Sequence, residues 1–212
     1  MSDRYWNEPV KWDNWCEQMG LRHKVFCGSM FDVMEDHDDL VAPRDRLWCL
    51  IEATPNLDWL LLTKRPENFA HFLPDEWMRG YMPGNVWVGA TVENQDVMED
   101  RVKSLALVPA PVRFISCEPM LGPVDFGLPG VLPHVALPEY SPVYDILNWI
   151  IVGAESGPSR RPFDPDWARA VRDQCVEWGV PFFFKQEIGP SGKKIELPGL
   201  DGRVWAQFPR NM

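Results

Sequence analysis

The sequence predicts an α/β fold, a partial (β/α) TIM-like barrel of about six parallel strand–helix units. Three observations predict it. Six short apolar runs recur along the 212 residues, with starts 26 to 37 residues apart. A strand with its crossover helix needs about 30 residues, so each interval holds one unit. The runs are near-continuously apolar, which is how a strand buried on both faces of a parallel sheet reads. No GxGxxG follows the first run and no GxxxxGK[ST] occurs. That absence favours a barrel over an open nucleotide-binding sheet.

The runs, in order, are Lys24–Gly28, Trp59–Thr63, Val86–Ala90, Val112–Cys117, Trp149–Gly153 and Pro181–Lys185. All are rich in β-branched or aromatic residues, whose side chains suit a pleated surface. Helical stripes fill the intervals. Leu47, Leu50 and Ile51 form one after Pro43. Phe69, Phe72 and Leu73 form another after Pro66, and Met98, Val102 and Leu105 a third after Asn94. The clearest helix starts at Asp164-Pro165, a cap followed by a first-turn proline. Trp167, Val171, Cys175 and Trp178 share its face, and Gly179 stops it. These stripes read as core packing.

One interval breaks the rhythm. Between Met120 and Asn148 stand Pro123, Pro129, Pro133, Pro138 and Pro142. Each removes a backbone donor, so 120–148 reads as an ordered loop insertion with at most a short helix near Tyr144–Leu147. Residues 187–212 read as a short C-terminal β tail, with Leu200-Asp201-Gly202-Arg203 as a tight turn. The whole of 1–212 is expected to be one domain.

Composition excludes several functions. Apolar residues make up 45% and charged residues 25%, which is ordinary for a folded domain and excludes disorder. The formal charge is −10, so bulk electrostatics do not favour nucleic acid. No run of about 18 apolar residues exists and the first residues lack an apolar signal core, so a cytoplasmic location without membrane contact is expected. Cys16, Cys27, Cys49, Cys117 and Cys175 are scattered and form no CxxC. They read as free, mostly buried thiols, with no metal site among them. The acidic run Glu35–Asp39 reads as solvated surface.

Chemistry in parallel α/β folds gathers at the carboxyl ends of strands. Those ends carry Ser29 and Asp32, then Thr63, Lys64 and Arg65, then Glu93 and Asn94, then Ser116 and Glu118, then Glu155 and Ser156, then Lys185 and Gln186. Charges of both signs at one rim suit a zwitterionic or phosphorylated ligand, or acid–base work. Glu118 and Glu155 are the candidate acid–base pair. Ser29, Thr63, Lys64, Arg65, Glu93, Asn94, Ser116, Ser156 and Lys185 are the candidate substrate or cofactor contacts. The glycines of Gly153-Ala154-Glu155-Ser156-Gly157 allow close approach of backbone to a ligand.

Several strings occur together: WLLLTKRPEN (59–68), NVWVGATVENQ (85–95), VRFISCEPMLGPVD (112–125), WIIVGAESGPSRRP (149–162), VPFFFKQ (180–186) and LDGRVWAQFP (200–209). With them, the chain from Tyr5 to Phe208 resembles the phage gp-thirty-seven/gp-sixty-eight family. The resemblance implies a radical-SAM-like barrel whose full-length members carry an N-terminal three-cysteine segment. It therefore implies an iron–sulfur cluster and S-adenosylmethionine, but the cysteines that would hold the cluster are absent here. The resemblance makes this a shortened, phage-type enzyme-family member in the host cytoplasm, with a homodimer or partner chain completing the barrel. Nucleic-acid modification is one expected role, with Lys64, Arg65, Arg160 and Arg161 as basic contacts. Two alternatives stand beside it: a non-catalytic binding or partner protein, and a cluster-independent hydrolase or lyase using Glu118 and Glu155.

Overall fold

The apolar runs are strands. The computed structural model describes residues 3–27, 31–127 and 146–209. Within them lie β1 His23–Cys27, β2 Leu57–Thr63, β3 Val86–Thr91, β4 Val112–Cys117, β5 Trp149–Gly153 and β6 Phe182–Ile188. Every residue of β3 and β5 is buried, as near-continuous apolar runs require. The fold is mixed α/β. The chain divides into two compact units, Met1–Gly89 with Val108–Pro111, and Ala90–Leu107 with Val112–Met212.

In the first unit, β1 and β2 pair in parallel from His23↔Leu57 to Cys27↔Leu61. Helix α1 spans Asp3–Met19, an element the sequence reading did not assign. Its buried residues Pro9, Asp13 and Cys16 are too few and too mixed to make an apolar stripe. Asp13 is only 7% exposed. Its carboxylate accepts from the Asn56 backbone N–H at 2.7 Å, which offsets the cost of burying it. Helix α2 spans Val41–Glu52 and buries Leu47, Trp48 and Ile51. Such fully buried side chains contribute about 1.5–3 kcal/mol each. The stripe after Pro66 makes only one helical turn, α3 Phe69–Phe72. Leu73 precedes Pro74 and takes an extended ψ of 151°, because proline disfavours helix at the residue before it. Asn85 is buried and donates through Nδ2 to the carbonyls of Thr54 and Leu57, both at 3.0 Å.

In the second unit, β4, β5 and β6 pair in parallel and β6 pairs antiparallel with β7, Lys194–Glu196. Helix α4, Gln95–Ala106, buries Met98, Val102 and Leu105. Helix α5, Pro165–Trp178, follows the predicted boundaries. The Asp164 side chain accepts from the Asp166 N–H, and Gly179 ends the helix in the left-handed region at φ 70°. Val171 and Cys175 are buried, and Trp167 and Trp178 half-buried, on the predicted face.

The start of the proline-rich loop is pinned by amide side chains. Gln95 and Asp125 exchange two bonds, and Gln174 accepts from the Phe126 N–H at 2.9 Å. The rest of that insertion, 128–145, lies outside the described residues, including Tyr144 of the expected short helix. Beyond β7, β8 Gly199–Leu200 and β9 Arg203–Val204 close a hairpin. Asp201 and Gly202 both have positive φ, 54° and 77°, the geometry of a two-residue hairpin turn.

Candidate functional site

The second unit gathers three carboxylates at the carboxyl ends of β3, β4 and β5, and each meets one cation. Glu93 follows β3 and is met by Arg101, which reaches back from α4 and also donates to the Thr91 carbonyl at 2.7 Å. Glu118 follows β4 and is met by Lys185 of β6, with Nζ 3.1 Å from Oε1. Glu155 follows β5 and is met by Arg161, which forks onto both carboxylate oxygens at 2.6 and 2.8 Å. Among the described residues, these pairs set three acids against three bases at the carboxyl ends of the strands.

Glu118 is the most enclosed exposed-chemistry group of the three pairs, with its side chain 13% exposed. Ser116 Oγ donates to its Oε2 at 3.1 Å, and Lys185 Nζ lies 3.2 Å from the same oxygen. Its Oε1 is buried, and Lys185 approaches that atom outside hydrogen-bonding geometry. Beneath it lies Gly153. A Cβ there would stand 2.6 Å from Glu118 Oε1 and 3.2 Å from Glu118 Cγ. Close approach at this glycine therefore serves the Glu118 side chain, whereas the sequence reading offered it to a ligand.

A bulge aims Lys185. Strand pairing runs Val152↔Phe184 and then Gly153↔Gln186, so Lys185 is the extra residue. Bulges re-aim a side chain beside functional sites. Phe182 and Phe184 stay buried while Lys185 is exposed. Gln186 closes the step by donating through Nε2 to the Ala154 carbonyl at 2.7 Å and accepting, through its own carbonyl, from the Ala154 N–H at 3.0 Å.

Electrostatics separate the carboxylates. Hydrogen bonds from the Arg161 side chain and backbone hold Glu155 well below the usual carboxylate range, at about 2. A carboxylate that acidic, forked by arginine, is suited to fix a cation rather than to exchange protons near neutrality. The charge of Glu93 also reaches Arg161, so these two pairs share one field. Cys117, at the end of β4, is pushed well above its ordinary value by burial, with Cys175, Glu118 and Glu93 adding. Burial thereby disfavours the thiolate that a nucleophile needs.

The remaining predicted residues distribute as follows. Asn94 stands at the N-cap of α4, and its Oδ1 is buried without a hydrogen-bond partner among the described residues. Ser156 is exposed in the turn after β5. Ser29 lies outside the described residues. In the first unit, Thr63, Lys64 and Arg65 converge on Asp32. Thr63 Oγ1 donates to Asp32 Oδ1 at 2.7 Å, while the Lys64 N–H and Arg65 Nη1 donate to Oδ2, each at 3.1 Å. Asn68 adds a bond to the Met34 carbonyl, and Arg44 bonds the carbonyls of Val33 and Glu35. This cluster ties the 32–35 segment to the end of β2. The run Glu35–Asp39 is exposed throughout.

Two features of the site have no local signal in the sequence. Arg101 reaches Glu93 only because α4 packs back along the sheet. Gly153 and Glu118 are 35 positions apart and meet only across paired strands.

The cysteines do not fit an iron–sulfur cluster, which needs converging thiolates. Cys16, Cys117 and Cys175 are buried, Cys27 half-buried and Cys49 exposed. Burial pushes Cys27 up to about 11 and Cys175 to about 12. Among the described residues, no three His, Cys, Asp or Glu side chains gather as metal ligands. Nor, among them, is any helix long and apolar enough to cross a membrane.

No curated protein and no solved structure matches this sequence at a significant level. The model of one family, described as Protein of unknown function (DUF5131), matches residues 1–209, and the chain belongs to that family.

Proposed function

We propose that the carboxyl ends of β3 to β6 in the second unit bind a polar small molecule through Glu118 and Lys185. Glu118 accepts a hydrogen bond or proton from the ligand, and Lys185 faces its anionic part. The observation that carries this reading is the Glu118–Lys185 pair itself. Its carboxylate is seated on Gly153 and its lysine is turned out by a bulge. Half-enclosed charges are costly to hold unless they are paired or used. The Glu155–Arg161 fork adds a second fixed, neutral ion pair at the carboxyl end of β5. In this reading Glu118 does the proton work, and Glu155 positions Arg161.

We also read the strand–helix units as those of a radical-SAM-like (β/α) enzyme family. Parallel register within each unit and the six strings quoted above support it. No step is routed through a cluster or S-adenosylmethionine, because the cysteines do not fit one. A nucleic-acid substrate is the weaker reading. Arg65 is bound to Asp32, Arg161 is bound to Glu155, and the net charge is −10.

The test is ligand-induced thermal stabilisation of the full chain against amino acids, sugar phosphates and nucleoside phosphates. At least one class should raise the melting temperature of the wild type. Glu118→Gln and Lys185→Met should each abolish that rise while melting cooperatively. An equal rise in both variants, or none in the wild type, would remove the assignment.

A further inference from the structure

An arginine joins two glycine-bearing loops at the carboxyl ends of β5 and β6. The loop after β5 holds Gly157 at φ 107°, and the turn between β6 and β7 holds Gly192 at φ 76°, backbone that glycine adopts at no steric cost. Arg160 Nη1 donates to the Gly157 carbonyl at 3.1 Å. Its Nη2 lies 3.0 Å from where a Cβ on Gly192 would stand. The guanidinium is thus laid, half-buried, against the bare backbone of both loops. The turn is closed by the Gly192 N–H donating to the Gly189 carbonyl and the Gly189 N–H donating to the Lys193 carbonyl, each at 2.9 Å.

What Arg160 lacks is an acid. Arg101, Arg161 and Lys185 each meet a glutamate, and Lys194 of β7 meets Glu196. Among the described residues Arg160 bonds only the Gly157 carbonyl, and neither it nor Lys193 makes an ion pair. The other N–H groups of the fork have no acceptor among those residues. A charge held half out of water is stabilised by a counter-charge, and here the described residues supply none. The chain carries 31 acidic residues against 21 basic ones, so its bulk charge repels anions and only a local group of cations can hold one.

We infer that Arg160 and Lys193 form a subsite for a phosphoryl group, carried on the loop after β5 and the β6–β7 turn. A planar guanidinium matches two phosphate oxygens at once, and a lysine adds a point charge. Two cations without acids answer a dianion, where a carboxylate would need one. Ser159 and Ser191 are exposed in the same two loops and add hydroxyl donors. Gly192 serves the same end, since a side chain there would press the guanidinium off its seat. The loops leave strands that Gln186 ties together at Ala154, next in the chain to Lys185. The inference rests on the Glu118–Lys185 reading for the remainder of the ligand, and it names the ligand's class as a small phosphate ester.

Titration of the full chain with inorganic phosphate at mildly alkaline pH and constant ionic strength, read by calorimetry and by phosphorus NMR line broadening, tests this. Saturable binding is expected. Arg160→Gln should weaken it about tenfold, the scale of a charged hydrogen bond. Lys193→Gln, at an exposed position, should weaken it about threefold. Arg79→Gln, which removes an equal charge from the first unit, should leave it unchanged. Circular dichroism checks that each variant folds, and Lys193→Gln carries the test if Arg160→Gln does not. No saturable binding by the wild type overturns the inference. So does undiminished binding in the folded loop variants, or an equal loss in Arg79→Gln. An organic ligand that needs Glu118 and Lys185, carries no phosphate and is not displaced by phosphate removes the phosphate-ester class while the Glu118–Lys185 reading stands. Phosphate binding through Arg160, with no organic ligand found, upholds the subsite and removes that reading.

Discussion

Glu118 rests on Gly153, with its Oε1 2.6 Å from where a Cβ would be. The bare Cα of one strand end thus forms the seat for the acid of its neighbour. The clash would fall mainly on the far end of a flexible side chain, with Gln186 Cγ at 3.2 Å as the second neighbour.

Gly153→Ala should therefore lower stability by only about 1 kcal/mol, the lower end of overpacking costs. It should nonetheless abolish ligand-induced stabilisation, because the carboxylate is displaced from Lys185. Chemical denaturation and the thermal-shift assay read the two effects separately. Retained ligand response in a folded Gly153→Ala chain would show that the seat does not matter.

Glu155 contributes a pH-dependent element. Its folded-state pKa is depressed from 4.5 to about 2 by Arg161. A depressed carboxylate stabilises the fold above its unfolded pKa, and that contribution is lost as pH falls through the folded pKa. Both groups are open to solvent, so screening keeps the effect small. The melting-temperature difference between wild type and Arg161→Gln should be constant above about pH 5 and vanish near pH 2. A difference that grows on acidification would contradict this pairing.

Asp32 should be structural in the first unit. Thr63, Lys64, Arg65 and the Met34 N–H all donate to it. Asp32→Ala leaves those donors without their acceptor and should cost about 2–3 kcal/mol, the range for charged hydrogen bonds and orphaned partners. Urea unfolding measures it. A cost below about 0.5 kcal/mol, the level of an ordinary surface substitution, would mean that the segment is held elsewhere.

The thiols should separate by burial. Brief iodoacetamide treatment of the native chain should label Cys49, which is exposed, and spare Cys117 and Cys175, whose thiolates are disfavoured by burial. Peptide mass spectrometry gives the answer. Labelling of Cys117 as fast as Cys49 would require an open, activated thiol at the end of β4.

Particular elements show which parts of the chain could be read in advance. Strands β4 and β5 fall on the predicted runs residue for residue, and α5 starts at its predicted cap and stops at its predicted glycine. In each case the signal is local: an apolar run, an Asp-Pro pair, a helical stripe ending in glycine. Helix α1 was not legible, because Pro9 stands inside it and its buried residues Pro9, Asp13 and Cys16 form no apolar stripe. The stripe after Pro66 suggested a longer helix than forms, since Pro74 ends it after one turn.

By itself, the sequence determined where six strands and the helices after them form and which polar residues stand at strand ends, because propensity, capping and periodicity act over a few residues; α1 was the exception. Only the tertiary structure decided how those polar residues pair. Glu118 is matched with Lys185 across 67 positions, Glu93 with Arg101 from the following helix, and Thr63 and Arg65 are given to Asp32. Such pairings depend on strand register and on a single bulge between Val152 and Gly153. Register is a property of two strands packed together, and neither strand carries it alone.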